Sequence, residues 1–191
     1  MIFSSFDIIV RNTEAKKLVR LLNIQSGFNI AEIGAGKGRL SLYLAKAVGL
    51  MGSVFATEFD EKKVKKIKYK IQKANIVNLQ TALAGSANPN LPDKLFDIIL
   101  MSKVYHHFTN APIQNLEFYR HLKPQGRLAI IDFEPRWYLK LSTPKNIPKS
   151  YGGHGIHKNV LINEVLHSGF KLEVFVENFS GGMYCAVFTK V

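Results

Sequence analysis

The stretch Phe28-Asn29-Ile30-Ala31-Glu32-Ile33-Gly34-Ala35-Gly36-Lys37-Gly38-Arg39-Leu40 decides the fold. An apolar run breaks into three glycines at alternate positions. Leu40, Tyr43, Leu44, Ala47 and Val48 then recur at i, i+3, i+4, i+7 and i+8, which is one face of an α-helix. Strand, glycine-rich turn and amphipathic helix in that order open a nucleotide-binding α/β unit. The turn must be tight and its backbone must come close to a ligand, so a Cβ would be in the way. The helix behind it points its unpaired N–H groups into the turn, where an anionic or polar ligand group is favoured.

Outward from this stretch, strands and helices alternate. The preceding residues 12–25 read as a helix with Ala15, Leu18, Val19, Leu21 and Leu22 on its apolar side, closed by Ser26-Gly27. Residues 28–33 are the first strand and 37–48 the first helix after it. A second strand at 53–57 runs directly into Glu58-Phe59-Asp60. Residues 61–75 keep Val64, Ile67, Ile71 and Ala74 at helical spacing, with lysines filling the other faces. A third strand is read at 77–83 and a loop rich in Ser, Asn and Pro at 85–92. The fourth strand, 95–102, is nearly continuous in apolar residues, as a parallel strand buried on both faces must be. Helix 111–122, strand 127–134, an irregular segment at 135–156 and helix 157–167 follow. Strands 170–176 and 183–190 close the chain, joined by the short connection 177–182.

Single helices between strands demand parallel crossovers with helices on both faces. The short last connection demands an antiparallel pair. The expectation is an α/β, Rossmann-like, seven-stranded and mostly parallel sheet with one antiparallel strand. It forms a single domain over residues 1–191, with an N-terminal helix in 1–27 and a possible substrate lid at 135–156. Ligands of such sheets sit beyond the carboxyl ends of the strands.

The 26 Lys and Arg against 14 Asp and Glu give a net charge of +12. A nucleic-acid partner is possible on that ground but not favoured, because no basic motif interleaved with aromatics accompanies the charge. The lysine run of 62–70 reads as a solvated helix face. One cysteine, Cys185, excludes an internal disulfide and fits a reducing compartment. The apolar start is short and interrupted by Asp7, so neither a signal peptide nor a membrane span is expected, and a cytoplasmic location follows. No Cys/His cluster has metal-ligand spacing, so no metal site is expected.

Four places lie at the carboxyl ends of the predicted strands. They are Glu32 with Gly34, Gly36 and Gly38; Glu58; residues 102–107; and Asp132 with Glu134. Glu58 follows the glycines at the distance where a carboxylate accepts both hydroxyls of a ribose.

These residues resemble the class I S-adenosylmethionine-dependent methyltransferases. The likeness is carried by Glu32-Ile-Gly-Ala-Gly-Lys-Gly38, Glu58, Leu95-Phe-Asp-Ile-Ile-Leu100, Val104-Tyr-His-His-Phe108 and His121-Leu-Lys-Pro-Gln-Gly-Arg-Leu-Ala-Ile-Ile-Asp132. The segments around Gly153-His-Gly-Ile-His-Lys158 and Tyr184-Cys-Ala-Val-Phe188 are similar to a bacterial subgroup of small methyltransferases with no assigned substrate. The resemblance implies that Gly34, Ala35, Gly36 and Gly38 wrap the methionine part of S-adenosylmethionine. It implies that Glu32 holds the turn and the cofactor's amino group, that Glu58 takes the ribose hydroxyls and that Phe59 lies against the adenine. Ser86 and Ala87 would line the adenine's other side. Ser86 stands where many members of the family have an acid. Lys103 stands where Asn or Asp is common, and it either meets the cofactor's carboxylate or faces solvent.

Methyl transfer from a sulfonium is a direct displacement that rests on proximity and alignment, with a base needed only for a protonated nucleophile. His106 is the candidate base or substrate contact, with Tyr105 beside it. The competing reading is a packed His-His pair. Tyr151, His154 and His157 could reach a substrate from the lid. The acceptor is expected to be a small molecule, since no extra domain is present to grip a macromolecule. RNA or protein methylation and non-catalytic cofactor binding are the alternatives. An NAD-dependent oxidoreductase needs G-x-G-x-x-G, and position 39 is Arg39. Oligomeric state is not legible.

Overall fold

A computed structural model describes residues 5–85, 88–136 and 147–191, with side chains from residue 13 onward. In chain order the elements are α1 (Ser5–Leu21), β1 (Asn29–Ile33), α2 (Arg39–Val48), β2 (Ser53–Glu58), α3 (Glu61–Lys73), β3 (Leu79–Leu83), β4 (Phe96–Ser102), α4 (Ala111–His121), β5 (Leu122–Asp132), α5 (Lys158–Leu166), β6 (Phe170–Ser180) and β7 (Met183–Lys190). Single 3-10 turns sit at Tyr105–His107 and Lys149–Tyr151.

The seven strands form one sheet in the order β3-β2-β1-β4-β5-β7-β6. Pairings from β3 through β5 are parallel, and β7 runs antiparallel to both β5 and β6. The strand order reverses between β1 and β4, which opens the crevice where such sheets bind ligands. Alternate residues of each strand point to opposite faces. On one face Ile30, Ile98, Leu100 and Ile131 pack with Leu18 of α1, Leu44 of α2 and Ile67 of α3. On the other face Ile33, Ile99, Met101 and Ile130 pack with Phe118 of α4 and Leu161 and Val165 of α5. The continuous apolar reading of β4 thus has its cause, since both of its faces are covered.

Several boundaries differ from the sequence reading: β5 starts at Leu122 rather than 127 and β6 runs on to Ser180 rather than stopping at 176, while the first helix and the segment read as a lid differ most. The first helix is α1, running Ser5–Leu21 rather than over 12–25. It ends early because Asn23 takes the left-handed conformation at φ 42° and the Ile24 N–H reaches back to the Val19 carbonyl at 3.0 Å. Asn23→Val is expected to lower stability by ~1–2 kcal/mol, because a branched Cβ resists that conformation; urea midpoints check it. The second difference is in the segment read as a lid. Residues 137–146 lie outside the described residues, and of the rest Tyr151, Gly155 and Ile156 belong to the core. Tyr151 and Ile156 are fully buried among α4 and α5 side chains, and the Ile156 N–H bonds the Phe133 carbonyl at 3.0 Å.

Candidate functional site

The glycine turn is built by close approach. A Cβ on Gly34, at φ 71°, would stand 2.4 Å from Val104 Cγ2, the residue that follows Lys103 beyond β4. The turns after β1 and β4 are therefore in contact across the crevice. The Ala35 N–H bonds the Thr57 carbonyl at 2.8 Å, tying the turn to β2 as well. Gly38 caps α2.

Glu58 closes this arrangement. Its buried carboxylate accepts the Gly36 N–H at 2.6 Å on Oε2, and the N–H groups of Phe59 and Asp60 at 2.9 and 3.1 Å on Oε1. Lys63 lies 3.6 Å from Oε1. That lysine belongs to the run read as a solvated face, so at least one member leans over the site. Phe59 projects from the turn, 42% exposed, with its ring available to a planar partner. Ser86 and Ala87 lie outside the described residues.

A cavity of about 530 Å³ opens between α1, α2 and the turns after β1 and β4, within the range of small-molecule sites. Glu32, Gly34, Ala35, Gly36 and Lys103 line it, as does Glu14 of α1. Lys103 is held at φ 60°, its N–H bonded to the Ile131 carbonyl at 2.8 Å, and it stands exposed on the rim. Glu14 was not singled out from the sequence. Only tertiary packing brings α1 to the strand ends, where Ser102 Oγ bonds Glu14 Oε1 at 3.3 Å. The cavity thus carries two carboxylates, suited to a cationic ligand. Glu32 is buried and bonded by Ser41 Oγ. Burial pushes its pKa from 4.5 up to about 8; the Ser41 bond opposes the rise and the charge of Glu58 adds to it.

The histidines follow in the 3-10 turn beyond Lys103 and Val104, at the carboxyl end of β4. His106 is buried, and its Nδ1 lies 2.8 Å from Oδ1 of Asp132, the last residue of β5. Asp132 also accepts the His106 and Phe133 backbone N–H groups, at 3.1 and 3.0 Å. The carboxylate is spent on orienting His106. His107 is exposed, yet the desolvation of its ring and the neighbouring His106 push its pKa down to about 4, so it is neutral at pH 7. His154 comes up against the pair, its ring 5.2 Å from that of His106 and 6.1 Å from that of His107.

Tyr105 requires a correction. It is fully buried and faces away from this crevice. Its hydroxyl accepts from Asn115 Nδ2 at 2.9 Å and donates to Glu164 Oε2 at 3.1 Å, the oxygen that also takes the Tyr151 hydroxyl. Burial, then the Glu164 charge, holds its pKa well above the phenol range, so it cannot serve as a base near neutrality. Tyr105→Phe is expected to lower stability by ~1–2 kcal/mol and to leave cofactor affinity unchanged. Thermal melts with and without cofactor separate the two effects. Tyr151 is likewise structural, and His157 is occupied with Glu134, whose other oxygen receives the Lys158 N–H.

Residues 31–130 match the family described as methyltransferase domain. A demethylmenaquinone methyltransferase of Listeria welshimeri is 27% identical over 117 residues, covering 61% of this chain and 50% of that protein. A ubiquinone/menaquinone biosynthesis C-methyltransferase of Paraburkholderia xenovorans is 27% identical over 115 residues, 60% of this chain and 47% of that one. The chain spans about half the length of these curated relatives. A solved SAM-dependent methyltransferase of Aquifex aeolicus superposes with a TM-score of 0.72 over 93% of this chain and 89% of its own, at 23% identity, which is a likeness of fold. With a family match that crosses β1 through β5 and a glycine turn closed by Glu58, the chain belongs to the class I S-adenosylmethionine-dependent methyltransferases.

Proposed function

We propose that this chain moves the methyl group of S-adenosylmethionine to a small-molecule acceptor at the crevice between β1 and β4. The observation that carries the reading is the paired acidic cavity beside the glycine turn. Glu32 and Glu14 line one side, and Glu58 is fixed to Gly36 at the end of β2. Glu58 keeps lone pairs for ribose hydroxyls beyond its three backbone donors. Glu14, and Glu32 once it yields its proton to the incoming cation, face the ammonium and sulfonium groups, and Phe59 offers a flat apolar face to the adenine. When bound, the cofactor supplies a methyl group already activated on a cationic sulfur.

The chain's own task is then alignment and water exclusion. Val104 and Gly34 close the two turns on each other. His106, held by Asp132, keeps Nε2 for the acceptor side. The charge of +12 alone does not favour RNA as acceptor, since Lys63, Lys65 and Lys70 of α3 are engaged with Glu58, Glu61 and the Lys37 carbonyl. No helix among the described residues is long and apolar enough to cross a membrane. The names of the relatives make a demethylated quinol the first acceptor to try. The test is formation of S-adenosylhomocysteine over a panel of phenols, quinols and amines, with thermal shift by cofactor as the companion measurement. Turnover with one panel member supports the proposal. A thermal shift without any turnover, on the panel or on RNA, leaves a binding protein and overturns it.

A further inference from the structure

We propose that His106, His107 and His154 form a divalent transition-metal site, with Asp132 as its outer carboxylate, facing the acceptor side of the crevice. One ring nitrogen from each histidine lies within 4.8 Å of one from each of the others. His106 has already given Nδ1 to Asp132, so Nε2 is the nitrogen it has left. That Nε2 is buried and has no hydrogen-bond partner among the described residues. A buried imidazole nitrogen left unpaired is costly, so its position asks for a ligand.

The surrounding contacts fix the three residues for this role. Asp132 accepts hydrogen bonds from His106 Nδ1–H and from the backbone N–H groups of His106 and Phe133. Carboxylate, histidine and metal in series is the usual way to orient a metal-binding imidazole and raise its basicity. Phe133 packs edge-on to the His106 ring at 4.9 Å and shields it. His154 is placed by its backbone. Its carbonyl takes the Arg136 N–H at 3.2 Å, and Gly155 presses so closely on β5 that a Cβ there would meet the Phe133 carbonyl at 2.7 Å. No spacing motif signals this site, because His154 arrives from a distant loop far from His106 and His107.

The donor set selects the ion. Three neutral imidazoles suit zinc, nickel, cobalt or iron(II) and give magnesium nothing to prefer. Ligands ~2.0–2.1 Å from zinc at tetrahedral angles stand ~3.3 Å apart, so the rings must close by at most about 1.5 Å. His107 is exposed and His154 half-buried. Three protein ligands leave a fourth position open. There the ion takes an acceptor oxygen and lowers its pKa, and the hydroxyl proton leaves to bulk water. This use of the site rests on the methyltransferase reading above; the metal site itself does not.

The test uses the untagged full chain, stripped with chelator and titrated with zinc chloride by calorimetry. Cobalt is then substituted for zinc, so that its visible absorption reports the ligands. One equivalent of zinc is expected to bind, and His107→Ala and His154→Ala, both outside the core, are each expected to weaken it at least ~10-fold. Asp132→Asn is expected to weaken it by about 10–100-fold. The absence of saturable zinc binding overturns the site, and so does one equivalent bound unchanged in His107→Ala and His154→Ala. Thermal shift by S-adenosylmethionine is read on the same samples. Cofactor binding without zinc binding overturns only the metal site. Zinc binding that depends on His107 and His154, without cofactor binding, supports the site and removes the methyltransferase reading alone.

Discussion

Glu58→Ala is expected to weaken S-adenosylmethionine binding about 100-fold. Two hydrogen bonds from ribose hydroxyls to an ionised carboxylate together account for ~3 kcal/mol, and every 1.4 kcal/mol is tenfold. The substitution also removes the acceptor for three backbone N–H groups, those of Gly36, Phe59 and Asp60. The glycine turn then loses its tie to β2 through Glu58, although the Ala35 N–H to Thr57 bond remains. Water reaches part of the exposed donors, so the loss of stability should be about 2 kcal/mol. For a chain of this size that is a fall of about 4–8 °C in Tm. Glu58→Gln keeps one carbonyl acceptor and places an amide donor against the remaining partners; about a tenfold loss of affinity is expected from it. Calorimetry with S-adenosylmethionine and with S-adenosylhomocysteine reads both variants. A folded Glu58→Ala protein with unchanged affinity would remove the ribose role.

This prediction was legible in the sequence because Glu58 sits where a strand ends, at a fixed distance from a glycine turn. The same holds for the fold. Period-two and period-3.6 patterns are local, and the sheet order follows from crossover rules applied to them. Tyr105 and the histidines show where that reading runs out. Tyr105, His106 and His107 are consecutive and chemically promising, but a 3-10 turn sends their side chains in different directions. One hydroxyl goes down to Glu164 and one imidazole back to Asp132, while His107 stays at the surface. No periodicity signals such a turn. The partners Asn115, Asp132, His154 and Glu164 come from four other parts of the chain, and only tertiary packing brings them in. Glu14 escaped notice for the same reason. Its helix reads as amphipathic, yet nothing local says that it lies across the strand ends.

Affinity for S-adenosylmethionine is expected to rise up to tenfold per pH unit between about pH 6 and pH 8, and Glu32 is the cause. In the free protein, burial raises its pKa from 4.5 to about 8, so at pH 6–7 it is protonated. A cation seated beside it favours the carboxylate, and binding must then release a proton. The proton is released only where the free protein holds it, which is below about pH 8; above that the rise ends. The cofactor's own α-amino group loses its charge near pH ~7.7–8.0, so the curve should pass through a maximum rather than a plateau. Glu32→Gln separates the two groups, because it should abolish the rise and keep the fall. Calorimetry in buffers of different ionisation enthalpy counts the proton directly. A flat affinity between pH 6 and 7.5 would show that Glu32 does not meet the cofactor's charge. Stability without cofactor should run the other way. A carboxyl whose folded pKa lies above its unfolded one contributes fully below pH 4.5 and loses that contribution as pH rises through about 8. The same buried group therefore weakens the free chain over the range, up to about pH 8, in which cofactor binding strengthens. Melting curves taken with and without S-adenosylmethionine should diverge from pH 6 upward, and in Glu32→Gln they should not.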